Sequence, residues 1–357
     1  MTTRDRKTSG RRGAAQETTR RGLIAGAAAL AALGPQIAEA RRFTPEGIDA
    51  LARQAAQFDQ LHAVVLARDG EVAYARALRG PGVSRAVNVK SVSKTLVATL
   101  TGRAIAEGAL KGPDQPIAPF LAAYLPVRPD PRLNAITVDH LLTMRAGLAR
   151  TSGSAYGAFV ASPNWLAHTL SRPFRADPGE RFQYSTGSYH LLGAVLARAT
   201  GRSLHALAND WLARPLGIDI APWTRDPQGF YLGGNNMALS PMAMLRFGEA
   251  WRTDGHWEGR RLVPEGWREA AWTARTRSPF SGDNYGYGWF LTQLGGVDVA
   301  YARGYGGQMI YVAPTLGITM AITSDPTRPA RSHGYAGALK RLLAETVIPA
   351  ARAADAG

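Results

Sequence analysis

LHAVVLARDGEVAYARAL occupies residues 61–78. Two β-prone runs flank Asp69-Gly70, a pair suited to the tight turn of an antiparallel hairpin. The same kind of sequence does not return until about Tyr285, in YGYGWFLTQL, VDVAYAR, GQMIYVAP and GITMAITSD, with turns expected at Gly295-Gly296 and Pro314-Thr315. Between these ends the pattern is helical. A helix is expected from Ser91 to about Leu110, stopped by Gly112-Pro113. Further patches follow at Val138–Met144, Tyr189–Thr200, Leu204–Leu212 and Pro241–Thr253, the last behind the cap signal Ser240-Pro241. A helix from about His333 to Val347 closes the pattern. Strands at both ends and helices between them predict an α/β (α+β) fold. Its antiparallel sheet is built from the N- and C-terminal segments, with a helical region inserted. The expected bounds are one domain over 41–349, with sheet parts at about 55–85 and 280–349, a helical part at about 86–279, and a frayed Ala-rich tail over 350–357.

The 357 residues include 42 basic and 27 acidic ones, a formal charge of +15, and no cysteine. Without cysteine there is no disulfide framework, thiolate zinc site or cysteine nucleophile. Seven of the basic and three of the acidic residues lie in 1–40, which leaves 35 and 24, a charge of +11, for the rest. The remaining basic residues are scattered, and beyond residue 42 no run of them interleaves with aromatics, so a nucleic-acid partner is not expected. In residues 1–40, Arg20-Arg21 precedes an apolar stretch from Gly22 to Gly34, and Ala38-Glu39-Ala40 supplies small residues for a peptidase. This reads as a twin-arginine export signal cleaved after Ala40, placing the mature protein in the periplasm or outside the cell. The stretch is too short for a membrane span and is followed by Pro35.

Three patches carry chemistry. Ser91-Val92-Ser93-Lys94 opens a helix, and residues three apart share a helix face, so Ser91 and Lys94 sit side by side at the positive end of the helix. A serine there can lose its proton to the amine and attack a carbonyl, while its own N–H faces the oxyanion. The plain alternative is a capping serine and a solvated lysine. Tyr184, within PGERFQYSTGSY at 178–189, stands on a loop just before a helix, where a tyrosine facing a lysine can move a proton; packing at a loop corner is the alternative. Gly304 interrupts the strand-like stretch before Tyr305-Gly306-Gly307, a place where a substrate carbonyl could approach the backbone and take the Tyr305 N–H; a glycine-rich bulge is the alternative.

Taken in order, these patches resemble the serine β-lactamase and penicillin-binding-protein superfamily. The resemblance is strongest to the class C β-lactamase-related serine hydrolases, a group with esterases, D-amino-acid peptidases and 6-aminohexanoate-dimer hydrolases. It runs over most of 50–345 and includes ITVDHLLTMRAGL at 136–148, PGERFQYS at 178–185, GGNNMALSP at 233–241 and RGYGGQMIYVAP at 303–314. It implies a β-lactamase/transpeptidase-like fold and an acyl-enzyme on Ser91, activated by Lys94 and Tyr184. The N–H groups of Ser91 and Tyr305 would hold the oxyanion. No cofactor or metal is implied, and the seven histidines include no pair spaced for zinc. Which of Lys94 and Tyr184 is the base stays open.

Two positions depart from the pattern. Thr186 stands where antibiotic-hydrolysing members have Asn, and Ala302 where they have Lys or, in many esterases, His. The cation that would meet a substrate carboxylate is then missing unless Arg303 supplies it, and strand alternation turns Arg303 away from Ala302 and Gly304. An ester or amide of a small or linear molecule is therefore the expected substrate. β-Lactamase or D,D-peptidase activity is the alternative reaction, and a catalytically silent cell-wall or ligand-binding protein the alternative of another class. RTSGSAYGAFVASP at 150–163 reads as a loop bordering the pocket, with Tyr156 and Phe159 facing substrate, or as a surface loop whose aromatics pack on each other. Asn235 and Asn236 read as substrate contacts or as turn residues before a helix.

Overall fold

The computed structural model describes residues 42–356. The export signal read over 1–40 lies outside the described residues. Helix α1 (Pro45–Ala56) is capped by Thr44, whose hydroxyl accepts the Gly47 N–H at 3.2 Å. Strand β1 (Leu61–Arg68) returns as β2 (Glu71–Ala77) through Asp69 and Gly70, at φ 48° and 88°. Two consecutive positive φ values are what a type I′ turn requires, and Arg68 pairs with Glu71 across it. The long helices of the middle are α2 (Val92–Ala106), α3 (Thr186–Thr200) and α4 (Pro241–Arg252).

Strands resume as β3 (Thr276–Arg277), β4 (Asn284–Tyr285), β5 (Phe290–Leu294), β6 (Val297–Gly304), β7 (Gln308–Ala313) and β8 (Ile318–Ser324). All eight strands form one antiparallel sheet in the order β2-β1-β8-β7-β6-β5-β4-β3. The β1–β8 ladder joins the two ends of the domain, as the distribution of strand-like sequence predicts. Every residue of β7 and β8 is buried. Strands buried on both faces read as near-continuous apolar runs and need a layer on each side. One layer is α4, held so close that a Cβ on Gly248 would stand 2.6 Å from Thr319 Cγ2. The other is α1 with the C-terminal helix, which pack on each other.

Two sequence expectations fail here. The run 285–294 is not one strand: Gly286 lies where a Cβ would stand 2.0 Å from the Ala271 carbonyl, and Gly288 has φ 75°, so the chain loops between β4 and β5. Nor is 350–357 frayed through its described part. Helix α5 (Tyr335–Leu342) passes into a wide π-type turn at Leu343–Val347 and resumes over Ile348–Ala356. Proline lacks an N–H and crowds the carbonyl four residues back, and the wide turn just before Pro349 absorbs both effects. Ala351 is buried, and Asp355 accepts from the buried Arg68 guanidinium at 2.6 Å. Among the described residues no helix is long and apolar enough to cross a membrane.

Candidate active site

Helix α2 runs through the middle of the molecule and is buried on nearly all sides. Its threonines satisfy themselves, Thr99 and Thr101 donating to the carbonyls of Thr95 and Val97. The turn that precedes it is tight. Lys90 has φ 51°, a conformation unfavourable for a lysine, and its N–H donates to Asn88 Oδ1 at 2.9 Å. Asn88 in turn donates to Asn236 Oδ1 at 3.2 Å. Ser91 follows at the helix entrance in a helical conformation and makes no side-chain cap bond. The capping alternative is thereby removed: the Ser91 hydroxyl is turned to Lys94, whose Nζ lies 3.0 Å from Oγ.

Lys94 is 1% exposed and has no carboxylate among its partners. Its Nζ meets Ser91 Oγ, Thr186 Oγ1 at 3.4 Å and the Gly234 carbonyl. Burial without a counter-charge brings the amine down to about 7. A neutral amine has two N–H donors and one lone pair. Gly234 O and Thr186 Oγ1 can take the donors, which leaves the lone pair for the Ser91 hydroxyl.

The Gly234 carbonyl arrives by close packing. A Cβ on Gly233 would stand 2.1 Å from Tyr189 O, and one on Gly234 2.7 Å from Thr186 O, so only glycines let this loop press against the start of α3. The loop is pinned from the other side by Val89 N–H to Met237 O and Met237 N–H to Ser93 Oγ, both 3.0 Å. Helix α3 is capped by another segment: Thr186 N–H donates to Ser152 Oγ at 2.8 Å and Gly187 N–H to Thr151 Oγ1 at 2.7 Å. Ser152 Oγ also lies 2.9 Å from Thr186 Oγ1, extending the chain Lys94–Thr186 outward. Ser152 and Gly234 went unread as site residues in the sequence.

Tyr184 is half-buried, with Lys94 Nζ 5.0 Å from its ring centroid and Phe290 stacked on it at 6.4 Å. Loss of water raises its phenol above the ordinary range, while a hydrogen bond with Ser91 and the Arg303 charge pull it back. The phenol is therefore protonated where Lys94 is not.

On the sheet side, the edge of β6 is unpaired beyond Tyr301, because β5 begins at Phe290 opposite it. Gly304 lies where a Cβ would stand 2.2 Å from Val89 O and 3.2 Å from Lys90 Cβ, so the end of β6 touches the turn before Ser91. Tyr305, the next residue, lines the same cavity as Ser91. Among the described residues neither the Ser91 nor the Tyr305 N–H is donated to another backbone carbonyl. A Gly304→Ala variant should lose about 1–3 kcal/mol of stability, since the methyl forces the strand off the turn, and kcat/KM should fall with it. Denaturant unfolding and ester kinetics on one preparation would check both; an unchanged pair of values would mean that the contact does not set the site.

Ser91, Tyr156, Tyr184, Thr186, Asn235, Arg303, Gly304 and Tyr305 all line one cavity of about 500 Å³. Asn235 Nδ2 donates to the Tyr156 hydroxyl at 3.1 Å, whereas Asn236 holds the turn with Asn88. Phe159 is not there. It is fully buried against Trp165, because Tyr156–Ala161 forms a short helix whose other face meets solvent and cavity. Ala302 is fully buried and does not line the cavity, so no cation stands at that place. Arg303 lines the cavity, contrary to the expectation that strand alternation turns it away from the site. Its guanidinium donates to Ser332 Oγ at 2.8 Å and Ala330 O at 2.6 Å, and from there borders the cavity rim.

A sequence model of the Beta-lactamase family matches residues 48–345. The chain belongs to that family. An esterase, EstB of Burkholderia gladioli, is 30% identical over 223 residues, 56% of each chain; the chain thus aligns with about half the length of this relative. The solved structure of EstCE1, a hydrolase with promiscuous acyltransferase activity, superposes with a TM-score of 0.67 at 20% identity, over 87% of this chain and 98% of the other. A D-stereospecific amidohydrolase from Streptomyces sp. gives 0.66 at 20% identity, over 84% and 99%. The structural likenesses establish the β-lactamase/transpeptidase-like fold.

Proposed function

We propose that the protein is an exported serine hydrolase that cleaves an ester or amide bond through an acyl-enzyme on Ser91. The observation that carries this reading is the buried Lys94 amine, brought down to about 7 by burial and 3.0 Å from the Ser91 hydroxyl. Lys94 takes the hydroxyl proton as Oγ bonds to the substrate carbonyl carbon. The N–H groups of Ser91 and Tyr305 hold the oxyanion. The protonated phenol of Tyr184 hands a proton to the departing alcohol or amine, and the proton on Lys94 restores the phenol. Water then enters by the reverse relay, splits the acyl ester and regenerates the Ser91 hydroxyl. Export by the twin-arginine route belongs to this reading through the sequence of residues 1–40 alone.

Esters are favoured over β-lactams because Ala302 offers no cation and Thr186 no carboxamide. Instead Thr186 serves Lys94 and Ser152. The test is intact mass after a fluorophosphonate probe, together with turnover of 4-nitrophenyl butyrate and a chromogenic cephalosporin. One adduct is expected. The ester should be preferred by about 100-fold or more, the scale on which missing polar contacts discriminate. The ester kcat/KM should climb as pH rises through about 7, since the neutral Lys94 is the active form. An unlabelled protein without ester turnover would end the reading, and a preference for the cephalosporin would move it to β-lactam hydrolysis.

A further inference from the structure

His190 and Asp226 form a buried pair behind the wall of the catalytic cavity, which neither of them lines. His190 Nε2 lies 2.9 Å from Asp226 Oδ2, and both side chains are shut off from solvent. Asp226 Oδ1 accepts the N–H groups of Gln228 at 3.0 Å and Phe230 at 2.8 Å. The carboxylate therefore closes a small hairpin over 224–232, in which Asp226 N–H donates to Phe230 O and Leu232 N–H to Thr224 O. His190 sits on α3, one turn beyond Thr186 and next to Tyr189. Its ring packs against Trp165 at 5.5 Å and Phe159 at 6.0 Å, in the segment that also presents Tyr156 to the cavity.

The hairpin runs directly into Gly233 and Gly234, the glycines that press on the Tyr189 and Thr186 carbonyls. A Cβ on Gly193 would stand 3.1 Å from Gly233 Cα, so α3 and the loop meet again one turn on. Beyond that the seam opens. A cleft of about 330 Å³ lies between the end of α3 and the hairpin tip, lined by Ala197, Arg198, Gly229 and Phe230 among others. Contact with glycines and an open cleft do not fix where a loop sits along a helix, whereas a directional bond to a carboxylate does. Filling space is not what the histidine does best. Its Nδ1 is buried with no hydrogen-bond partner among the described residues, and a polar ring with one nitrogen unmet is a costly filler for an apolar nest.

We propose that His190 and Asp226 are positioning residues of the catalytic centre: their bond pins the hairpin to α3 and so holds the Gly234 carbonyl on the Lys94 amine. The inference rests on the hydrolase reading above and adds what keeps its base in place. Besides Gly234 O, the amine faces the Ser91 and Thr186 hydroxyls and the Tyr184 ring, whose centre is 5.0 Å from Nζ; none of these groups carries a charge. Burial alone brings the amine down to about 7, and a loop that drifts from it would let water in.

The experiment compares the wild type with His190→Leu and His190→Gln. Glutamine can present its amide nitrogen where Nε2 stands and keep the bond to Asp226; leucine cannot. In His190→Leu, kcat for 4-nitrophenyl butyrate should fall about tenfold or more with KM little changed, since a displacement of about 1 Å at the reacting groups costs up to about 100-fold. Lys94 is followed without reference to activity by the carbon-13 shift of its Cε in lysine-labelled protein, assigned by its loss in Lys94→Met. Its midpoint should rise from about 7 by about one pH unit or more as water enters. His190→Gln should recover most of both. A His190→Leu protein that melts lower but keeps its kcat and its Lys94 midpoint would make the pair a structural tie and overturn the inference. Equal damage in both variants would overturn it as well, because the ring and not the bond would then matter. If His190→Leu does not fold, Asp226→Asn takes its place. Its amide oxygen still serves the hairpin N–H groups, but it offers His190 a weaker partner, so kcat and the midpoint should move the same way by less; no movement in either overturns the inference. A wild type without ester turnover would count against the hydrolase reading, and the Lys94 midpoint would then decide by itself. Raised in His190→Leu and returned in His190→Gln, it upholds the inference; unchanged, it overturns it.

Discussion

Ser91→Ala should lose ester turnover by about 10⁴-fold or more, the scale seen when a nucleophile that acts with its base is removed, and it should take no fluorophosphonate label. Its thermal midpoint should move by about 1–2 °C at most, because the lost group is one hydroxyl with bonds only inside the site. The two readouts separate the roles open to this serine. A helix cap is worth about 1 kcal/mol when removed and leaves chemistry alone. In the structure the Ser91 hydroxyl is 3.0 Å from Lys94 Nζ and caps nothing. A variant that melts several degrees lower yet hydrolyses esters at the wild-type rate would return Ser91 to a structural role. A labelled variant would move the nucleophile elsewhere, and Ser152, 2.9 Å from Thr186 Oγ1, would be the first to test.

Much of this site was legible because its decisive relations are local. Ser91 and Lys94 meet through helix periodicity, and Asp69-Gly70 dictates a turn whatever surrounds it. The order of strand-like and helical sequence gave the sheet of two ends, since β1 can find its partner β8 only across the inserted region. What escaped the reading is tertiary. The Gly234 carbonyl belongs to a residue type with no side chain, and it matters only because packing against Tyr189 and Thr186 aims it at Lys94. Ser152 caps a helix that starts 34 residues later. Phe159 and Tyr156 are three apart in one short helix, and nothing in RTSGSAYGAFVASP says which of them meets the cavity. The tail expected to fray over 350–357 continues as helix because a wide turn precedes Pro349, and local sequence does not announce that turn.

Lys94→Met should make the protein inactive and more stable at once. Methionine keeps the length and volume of the lysine stem while removing the amine, so kcat should fall by about 10⁴-fold or more. The stability change follows from linkage. In the unfolded chain the amine titrates at its ordinary value of 10.5, and in the folded chain at about 7. Between those values the unfolded state binds the extra proton, which favours unfolding. Below about pH 7 the full penalty of about 4–5 kcal/mol applies; it fades as pH rises and is gone near 10.5. Methionine removes the penalty but orphans the Gly234 carbonyl and the partners of Nζ, at a cost of about 1–3 kcal/mol. A net gain of about 1–4 kcal/mol remains at neutral pH, or about 2–6 °C in the midpoint for a domain of this size. The difference between variant and wild type should narrow from pH 7 to pH 10, since the wild type alone recovers stability there. The check is melting of both proteins across that range, alongside ester turnover. A variant with the wild-type midpoint at pH 7, or a gap that does not change with pH, would mean that Lys94 is charged and compensated in the fold, and the role of base would pass to Tyr184.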